Sequence, residues 1–349
     1  MARRLKAIDF FCGGGGMTCG LQQAGVQVIA GVDLDVECKE TYESNNSGSK
    51  FVLADVKELP LDYFEREFSV QRHDESLILV GCSPCQYYSI INTKRTKSSG
   101  SKGLLLDFMR FVDYYRPGIV LVENVPGIVS NKDSVLPEFI SFMENSGYIS
   151  TYKVIDMSHY GIPQSRKRFS LIASRIGNPP KLPVADEKRL TVQDVIGATN
   201  GFSKIDAGTI DLSPFRHSAS GLSPICLERL KKTPKNGGSR MSWKDDSQLQ
   251  LNCFIGKDNS FKDTFGRLWW DRPASTITTK FFNISCGRFA HPEEDRAISI
   301  REGATLQTFP KTYDFKVRST ATAARLIGNA VPPEYARRLG ETIKGLVKS

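Results

Sequence analysis

The sequence predicts an α/β protein with a doubly wound, mostly parallel sheet, followed by a second, smaller, irregular and β-rich domain. Two observations carry this expectation. Up to residue 173, short apolar runs alternate with helical patterns. The runs lack internal polar alternation, so both faces of the sheet should be covered, as crossover helices cover a parallel sheet. After Gly177-Asn178-Pro179-Pro180 that pattern stops, and Gly, Ser, Pro and Asn become frequent.

The elements follow in order. Residues 7–11 read as a short strand, and 17–24 as a helix closed by Gly25, a residue that readily turns left-handed past a helix end. Strand 26–32, helix 36–44 and strand 51–54 come next. Leu77-Ile78-Leu79-Val80 is the fourth strand. Residues 104–114 set Leu105, Phe108, Met109 and Val112 on one side of a helix. Strand 119–122 is bounded by Pro117-Gly118. Helix 135–144 has Pro137 near its start and Gly147 beyond its end. A late strand covers 169–173. From there to about 309 the apolar runs are short, as in Ser275-Thr276-Ile277-Thr278. Helical signal returns at 320–327 and 334–346. No internal repeat or low-complexity tract stands out.

The 349 residues and 40% hydrophobic content suffice for a sizeable core. A net charge of +9 makes a polyanion such as nucleic acid a candidate partner. The start, Met1-Ala2-Arg3-Arg4-Leu5-Lys6, is basic, but Asp9 and the glycines interrupt it before any long apolar core. It does not read as a signal peptide, and no stretch approaches the roughly 20 apolar residues of a membrane span. Eight scattered cysteines argue against a disulfide framework. A reduced, intracellular protein is expected.

The run Asp9-Phe10-Phe11-Cys12-Gly13-Gly14-Gly15-Gly16 ends the first strand and opens the first helix. Glycines there let a ligand approach the backbone. The dinucleotide fingerprint is incomplete, because Thr18 stands at its third glycine. Asp33 ends strand two, twenty residues after Gly13, where an acid can accept from ribose hydroxyls. Asp55 ends strand three, where it could meet an adenine edge. Three strand ends aimed at one nucleoside favour a nicotinamide dinucleotide or S-adenosylmethionine.

Gly81-Cys82-Ser83-Pro84-Cys85-Gln86 follows the fourth strand. That places Cys85 at the sheet edge where ligands bind in open α/β folds. As zinc ligands, Cys82 and Cys85 lack a second pair, so no metal is expected. As a thiol-disulfide pair they fit a strand-to-helix position. A lone nucleophile would need an orienting environment. Glu123-Asn124-Val125 ends strand five, and Gln164-Ser165-Arg166-Lys167-Arg168 precedes the late strand.

These motifs together resemble the DNA cytosine-5 methyltransferase family over nearly the whole chain. Phe11-Cys12-Gly13-Gly14-Gly15-Gly16 is similar to its cofactor loop. Pro84-Cys85-Gln86, Glu123-Asn124-Val125 and Gln164-x-Arg166-x-Arg168 resemble its catalytic motifs. Arg301-Glu302 with Leu306-Gln307-Thr308-Phe309-Pro310 resembles the motif after the recognition region, and Gly328-Asn329-Ala330-Val331-Pro332-Pro333 the last one. Six motifs in the family's order are very specific. Cys82-Ser83 before Pro84, and Tyr88 after Gln86, depart from the family's usual residues without removing a reacting group.

The resemblance implies a Rossmann-like catalytic and cofactor-binding domain at 1–180, a target-recognition domain at 181–315, and a segment at 316–349 returning to the catalytic domain. The implied cofactor is S-adenosylmethionine, with S-adenosylhomocysteine as product. Phe11, Gly13, Gly15, Gly16, Asp33, Leu34, Asp55 and Val56 would hold it, together with Pro84, Leu104, Asn329, Ala330 and Val331. Cys85 would be the nucleophile that adds to cytosine C6, and Glu123 would bind N3 and the exocyclic amine. Arg168 would neutralise charge on O2, with Arg166 beside it. The base would be flipped out of duplex DNA. Lys94, Arg95 and Lys97, in an acid-free loop, are expected to meet phosphates, and Arg240 to meet DNA from the recognition region. A cytoplasmic monomer is expected, nucleoid-associated when on DNA, with a cognate restriction endonuclease in the same cell. The rival readings are an RNA cytosine-5 methyltransferase of the same fold, a cofactor-binding protein without catalysis, and a thiol-disulfide oxidoreductase using Cys82 and Cys85.

Overall fold

The computed structural model describes residues 4–84 and 103–348. The chain begins β1 (Lys6–Phe10), α1 (Gly16–Gln23), β2 (Gln27–Asp33), α2 (Lys39–Asn45), β3 (Lys50–Leu53), α3 (Tyr63–Phe68) and β4 (Leu77–Gly81). It continues through α4 (Leu104–Tyr115), β5 (Ile119–Asn124), α5 (Gly127–Ser130), α6 (Leu136–Asn145), β6 (Ile149–Asp156), β7 (Gln164–Ser165) and β8 (Lys167–Ser174). Then come α7 (Pro224–Lys232), β9 (Ala274–Ser275), α8 (Ile300–Leu306), α9 (Thr320–Asn329) and α10 (Pro333–Lys348).

Two compact units divide the chain. The first comprises Met1–Tyr160, Lys167–Ala185 and Val331–Ser349, and the second Gly161–Arg166 and Asp186–Ala330. The segment 316–349 is thus split: α9 belongs to the second unit and α10 to the first.

In the first unit the strand order is β3-β2-β1-β4-β5-β8-β6. β1 to β5 pair in parallel, as expected from their uninterrupted apolar runs. The sheet is mostly parallel, as expected; its last two strands are the exception, since β8 is antiparallel to both β5 and β6. β6 was not expected at all. It is an edge strand with Ile149, Tyr152 and Val154 exposed, and its sequence carries no apolar run. One face of the sheet packs a core around Phe10, Phe64, Phe108 and Phe111, whose rings meet edge-on or tilted. α1 and α10 pack together, and Gly20 permits it. A Cβ there would lie 2.1 Å from the Pro333 carbonyl oxygen.

The second unit is irregular rather than β-rich. Among its described residues, regular pairing amounts to β7 beside β9, two residues each, and two isolated bridges. Buried arginines knit it instead. Arg267 donates to the carbonyls of Leu230, Thr233, His291 and Glu294 and pairs with Asp295. Arg296 makes two hydrogen bonds to Glu302, at 2.7 and 2.9 Å.

Candidate active site

At the carboxyl edge of β1 to β3 the backbone turns sharply. Phe11 has φ 62°, a strained left-handed conformation for a bulky residue. Gly13 follows at φ 51° and Gly15 at φ 87°, and Gly16 opens α1. A Cβ on Gly13 would meet nothing within 4 Å, so open space faces this turn. Asp33 secures the turn from β2. One carboxylate oxygen accepts from Gly13 N–H (2.8 Å) and the other from Asp35 N–H (2.9 Å). Burial pushes the Asp33 carboxyl up, while these amides oppose the rise. Its remaining lone pairs can still accept from a ligand hydroxyl. The end of β3 is drawn to β2 by Ala54 N–H on the Asp33 carbonyl (3.1 Å).

Half-exposed Asp55 and Leu34, 68% exposed, stand at the same edge. Acceptors beside an uncovered apolar side chain and an open glycine turn suit a nucleoside-bearing cofactor. Val56 and Val331 are buried. Pro84 is exposed and Leu104 half-buried. Asn329, exposed, and Ala330, half-buried, end α9 in the second unit.

Beneath the glycine turn lies a polar chain that sequence reasoning missed. Asp9 is completely buried on β1 and accepts from Thr18 Oγ1 at 2.7 Å. Thr18 contacts Tyr42 OH (3.0 Å), which contacts Ser49 Oγ (2.7 Å). Burial pushes the Asp9 carboxyl up to about 7, with the Thr18 hydrogen bond opposing and Asp33 reinforcing it. The signal was present in two places, an acid inside an apolar strand and a threonine where a third glycine was awaited.

At the other end of the site, Glu123 is on β5 and Arg168 on β8. Arg168 Nε lies 3.1 Å from Glu123 Oε1, with both side chains largely buried. Next to Glu123, Asn124 Nδ2 donates to Ser83 O and contacts Ser83 Oγ, both at 3.2 Å. This ties the turn leaving β4 to the end of β5. Burial, then the charges of Glu123 and Asp9, push the Cys82 thiol well up and keep it protonated. Such a thiol is a poor attacking group for disulfide exchange.

Two expectations are corrected. Arg166 does not join Arg168 in a catalytic role. Its buried guanidinium donates to the carbonyls of Ile277 (3.1 Å), Gly328 (3.2 Å) and Ala330 (3.2 Å), tying parts of the second unit together. Arg240 offers nothing to DNA. It is fully buried, donates to the carbonyls of Lys257, Ser260 and Phe261, and packs over the Phe254 ring. Cys85, Gln86, Tyr88, Lys94, Arg95 and Lys97 lie outside the described residues.

A groove of about 740 Å³ in the second unit also escaped the sequence. Exposed Lys188, Arg189 and Arg272 line it beside Trp269, Ser165 and Ser275. Trp269 is flanked by the guanidinium groups of Arg288 and Arg272, 4.0 and 4.9 Å from its ring centroids.

The open α/β sheet thus brings together an edge suited to a nucleoside-bearing cofactor and, farther along, a buried acid–guanidinium pair. Residues 5–345 match the family described as C-5 cytosine-specific DNA methylase. The Type II methylase M.HgiDII of Herpetosiphon aurantiacus is 38% identical, covering 97% of this chain and 94% of that protein. The Type II methyltransferase M1.BsuMI of Bacillus subtilis is 27% identical, over 95% and 78%. Among solved structures, a protein encoded within an E. coli prophage has a TM-score of 0.76 at 22% identity, covering 99% of this chain and 100% of its own. The Entamoeba histolytica methyltransferase EhMeth has a TM-score of 0.68 at 15% identity, over 98% of both; these two likenesses show the shared fold. The chain belongs to the C-5 cytosine-specific DNA methylase family and is an S-adenosylmethionine-dependent DNA cytosine-5 methyltransferase. Among the described residues no helix is long and apolar enough to cross a membrane.

Proposed function

We propose that the protein methylates C5 of a cytosine flipped out of a specific duplex DNA sequence, with Cys85 as the covalent nucleophile. The observation that carries this is the Glu123–Arg168 pair, 3.1 Å apart beside a turn that Asn124 anchors one residue before Pro84 and two before Cys85. C5 of cytosine is a poor nucleophile. Attack of the Cys85 thiolate on C6 makes C5 enamine-like, and once C5 has taken the methyl group, loss of its proton to a base and expulsion of the Cys85 thiolate from C6 restore the ring. Glu123 binds N3 and the exocyclic amine and supplies a proton as charge develops in the ring. Arg168 has two roles, orienting Glu123 and facing the charge on O2.

Asp33 and Asp55 hold the cofactor's hydroxyl and adenine groups, Leu34 lies against its base, and Phe11, Gly13, Gly15 and Gly16 admit it to the backbone. Pro84, Leu104, Asn329, Ala330 and Val331 complete that site. When bound, S-adenosylmethionine supplies the methyl group.

Residues 181–315 form the target-recognition region in this reading. The groove supports it, because its exposed cations Lys188, Arg189 and Arg272 suit a phosphate backbone, although the acids Glu187 and Asp271 also line it. Lys94, Arg95 and Lys97 add phosphate contacts. The Type II relatives support a restriction–modification setting; a partner nuclease in the same cytoplasm and a monomeric enzyme are part of this proposal.

The test is covalent trapping. DNA carrying 5-fluorocytosine blocks release of the C5 substituent, so the protein with S-adenosylmethionine should form a stable protein–DNA adduct. The Cys85→Ala protein should bind the same DNA and form none. An adduct that persists without Cys85 would remove the proposed nucleophile.

A further inference from the structure

Asn329 ends α9 with its side chain exposed, and the backbone on both sides of it is held from within the second unit. Arg166 Nη2 donates to the carbonyls of both its neighbours, Gly328 and Ala330, each at 3.2 Å. Gln307 Nε2 donates to Ala330 O at 2.8 Å and to Ile327 O at 3.1 Å. The last carbonyls of a helix have no partner inside it, and a cation suits that negative end. Buried Arg166 and Gln307 supply those partners. Gln307 is held in turn by Gln164, whose Oε1 accepts from Ile277 N–H at 3.0 Å. Arg166 Nη1 donates to the Ile277 carbonyl at 3.1 Å, and the next residue presses on the helix end. A Cβ on Gly328 would lie 2.4 Å from the Thr278 carbonyl carbon. At Ala330 the chain turns extended, with φ −66° and ψ 147°.

The three bonds from Arg166 all end on backbone, and two of them fix the course of the chain through Asn329. We propose that Arg166, assisted by Gln307, is a positioning residue for the cofactor: by binding the carbonyls on both sides of Asn329 it presets the segment that holds S-adenosylmethionine. A preset segment spares the ligand the cost of ordering it on binding. Loss of the grip therefore lowers the fraction of protein ready to bind and weakens cofactor affinity. It leaves the chemistry of the loaded enzyme unchanged.

The proposal rests on the reading of Asn329 and Ala330 as residues that hold the cofactor. Its test uses Arg166→Lys, which keeps the charge but not the planar fork that reaches three carbonyls, and Gln307→Met, which keeps the shape and loses the donor. S-adenosylhomocysteine affinity is measured by calorimetry, DNA affinity by anisotropy, and single-turnover methyl transfer at saturating S-adenosylmethionine. Each variant should bind S-adenosylhomocysteine roughly 5- to 30-fold more weakly, the worth of one or two hydrogen bonds, with DNA affinity and the saturated rate within about twofold of the parent. Parent-like cofactor affinity in both variants would overturn the proposal. So would equal losses of cofactor and DNA affinity, the mark of a merely structural residue, or a rate that stays low at saturating cofactor. Hydrogen exchange of the parent tests the underlying reading separately. S-adenosylhomocysteine should slow exchange of the backbone amides of residues 327–331. Exchange unchanged by the ligand would sink the reading of this segment, and that result is seen without altering Arg166.

Discussion

Arg168 Nε stands 3.1 Å from Glu123 Oε1, across two antiparallel strands, with both side chains largely withdrawn from water. The reversal of β8 makes this possible. With Ser170 opposite Glu123, Arg168 becomes its diagonal neighbour on the same face, within reach of a long side chain. A buried pair of this kind fixes the carboxylate's orientation before any base arrives.

Glu123→Gln keeps the size of the side chain and removes its titratable proton. Single-turnover methyl transfer should fall on the order of 10²-fold or more, the usual contribution of general acid catalysis. A rate within twofold of the parent would make Glu123 a structural residue.

Asp9 makes stability depend on pH in a definite direction. An unfolded aspartate titrates near ~3.9, whereas the buried Asp9 keeps its proton to about 7. Between those values the folded state binds the extra proton, so this contribution to stability falls as pH rises from about 4 to about 7. Asp9→Asn cannot ionise and keeps an acceptor for Thr18. Denaturant unfolding should show the variant gaining on the parent by up to about 4 kcal/mol between pH 4 and pH 8. A difference that stays flat over this range would mean that Asp9 does not carry the buried proton.

The first five strands were legible because each is an apolar run closed by Gly, Pro or an acid. β6 was not, since its Ser150, Thr151, Tyr152 and Lys153 face water at the sheet edge or are only half-covered, and nothing local distinguishes it from a loop. Glu123 and Arg168 were legible as motif residues, although not as a pair. Arg166 was misread because its partners, Ile277 and Gly328, are 111 and 162 residues away. Arg240 sits in a basic stretch that resembles a surface, and only tertiary packing turns its guanidinium inward. Asp9 looked like an interruption of an apolar run until Thr18 was brought beneath the same turn.

Glu302 anchors the second unit. Burial opposes its charge, yet the two hydrogen bonds from Arg296 hold its carboxyl down to about 2. Its contribution is therefore present above the unfolded value near ~4.3 and is lost as pH falls through about 2. Glu302→Gln should cost about 3 kcal/mol at neutral pH, because it strips a buried arginine of its main counter-charge. The gap between variant and parent should close in acid. Equal stability at pH 7 would show that Glu294, 2.9 Å from Arg296 Nε, is sufficient by itself.

If the groove of the second unit meets phosphates, DNA affinity should depend steeply on salt. Replacing Lys188, Arg189 and Arg272 by glutamine should then reduce the slope of log affinity against log salt by up to about 2.7, or about 0.9 for each phosphate contact. Fluorescence anisotropy across a salt series measures it. A slope equal to the parent's would place the DNA elsewhere.

The central claim is that this chain marks C5 of cytosine through Cys85. It is tested most directly by expressing the parent and Cys85→Ala proteins in a methylation-free host and sequencing the genomic DNA with 5-methylcytosine detection. The account predicts 5-methylcytosine at one position of a recurring sequence with the parent, and an unmarked genome with Cys85→Ala. A genome left unmarked by the expressed, folded parent, or marked equally by the variant, would contradict it.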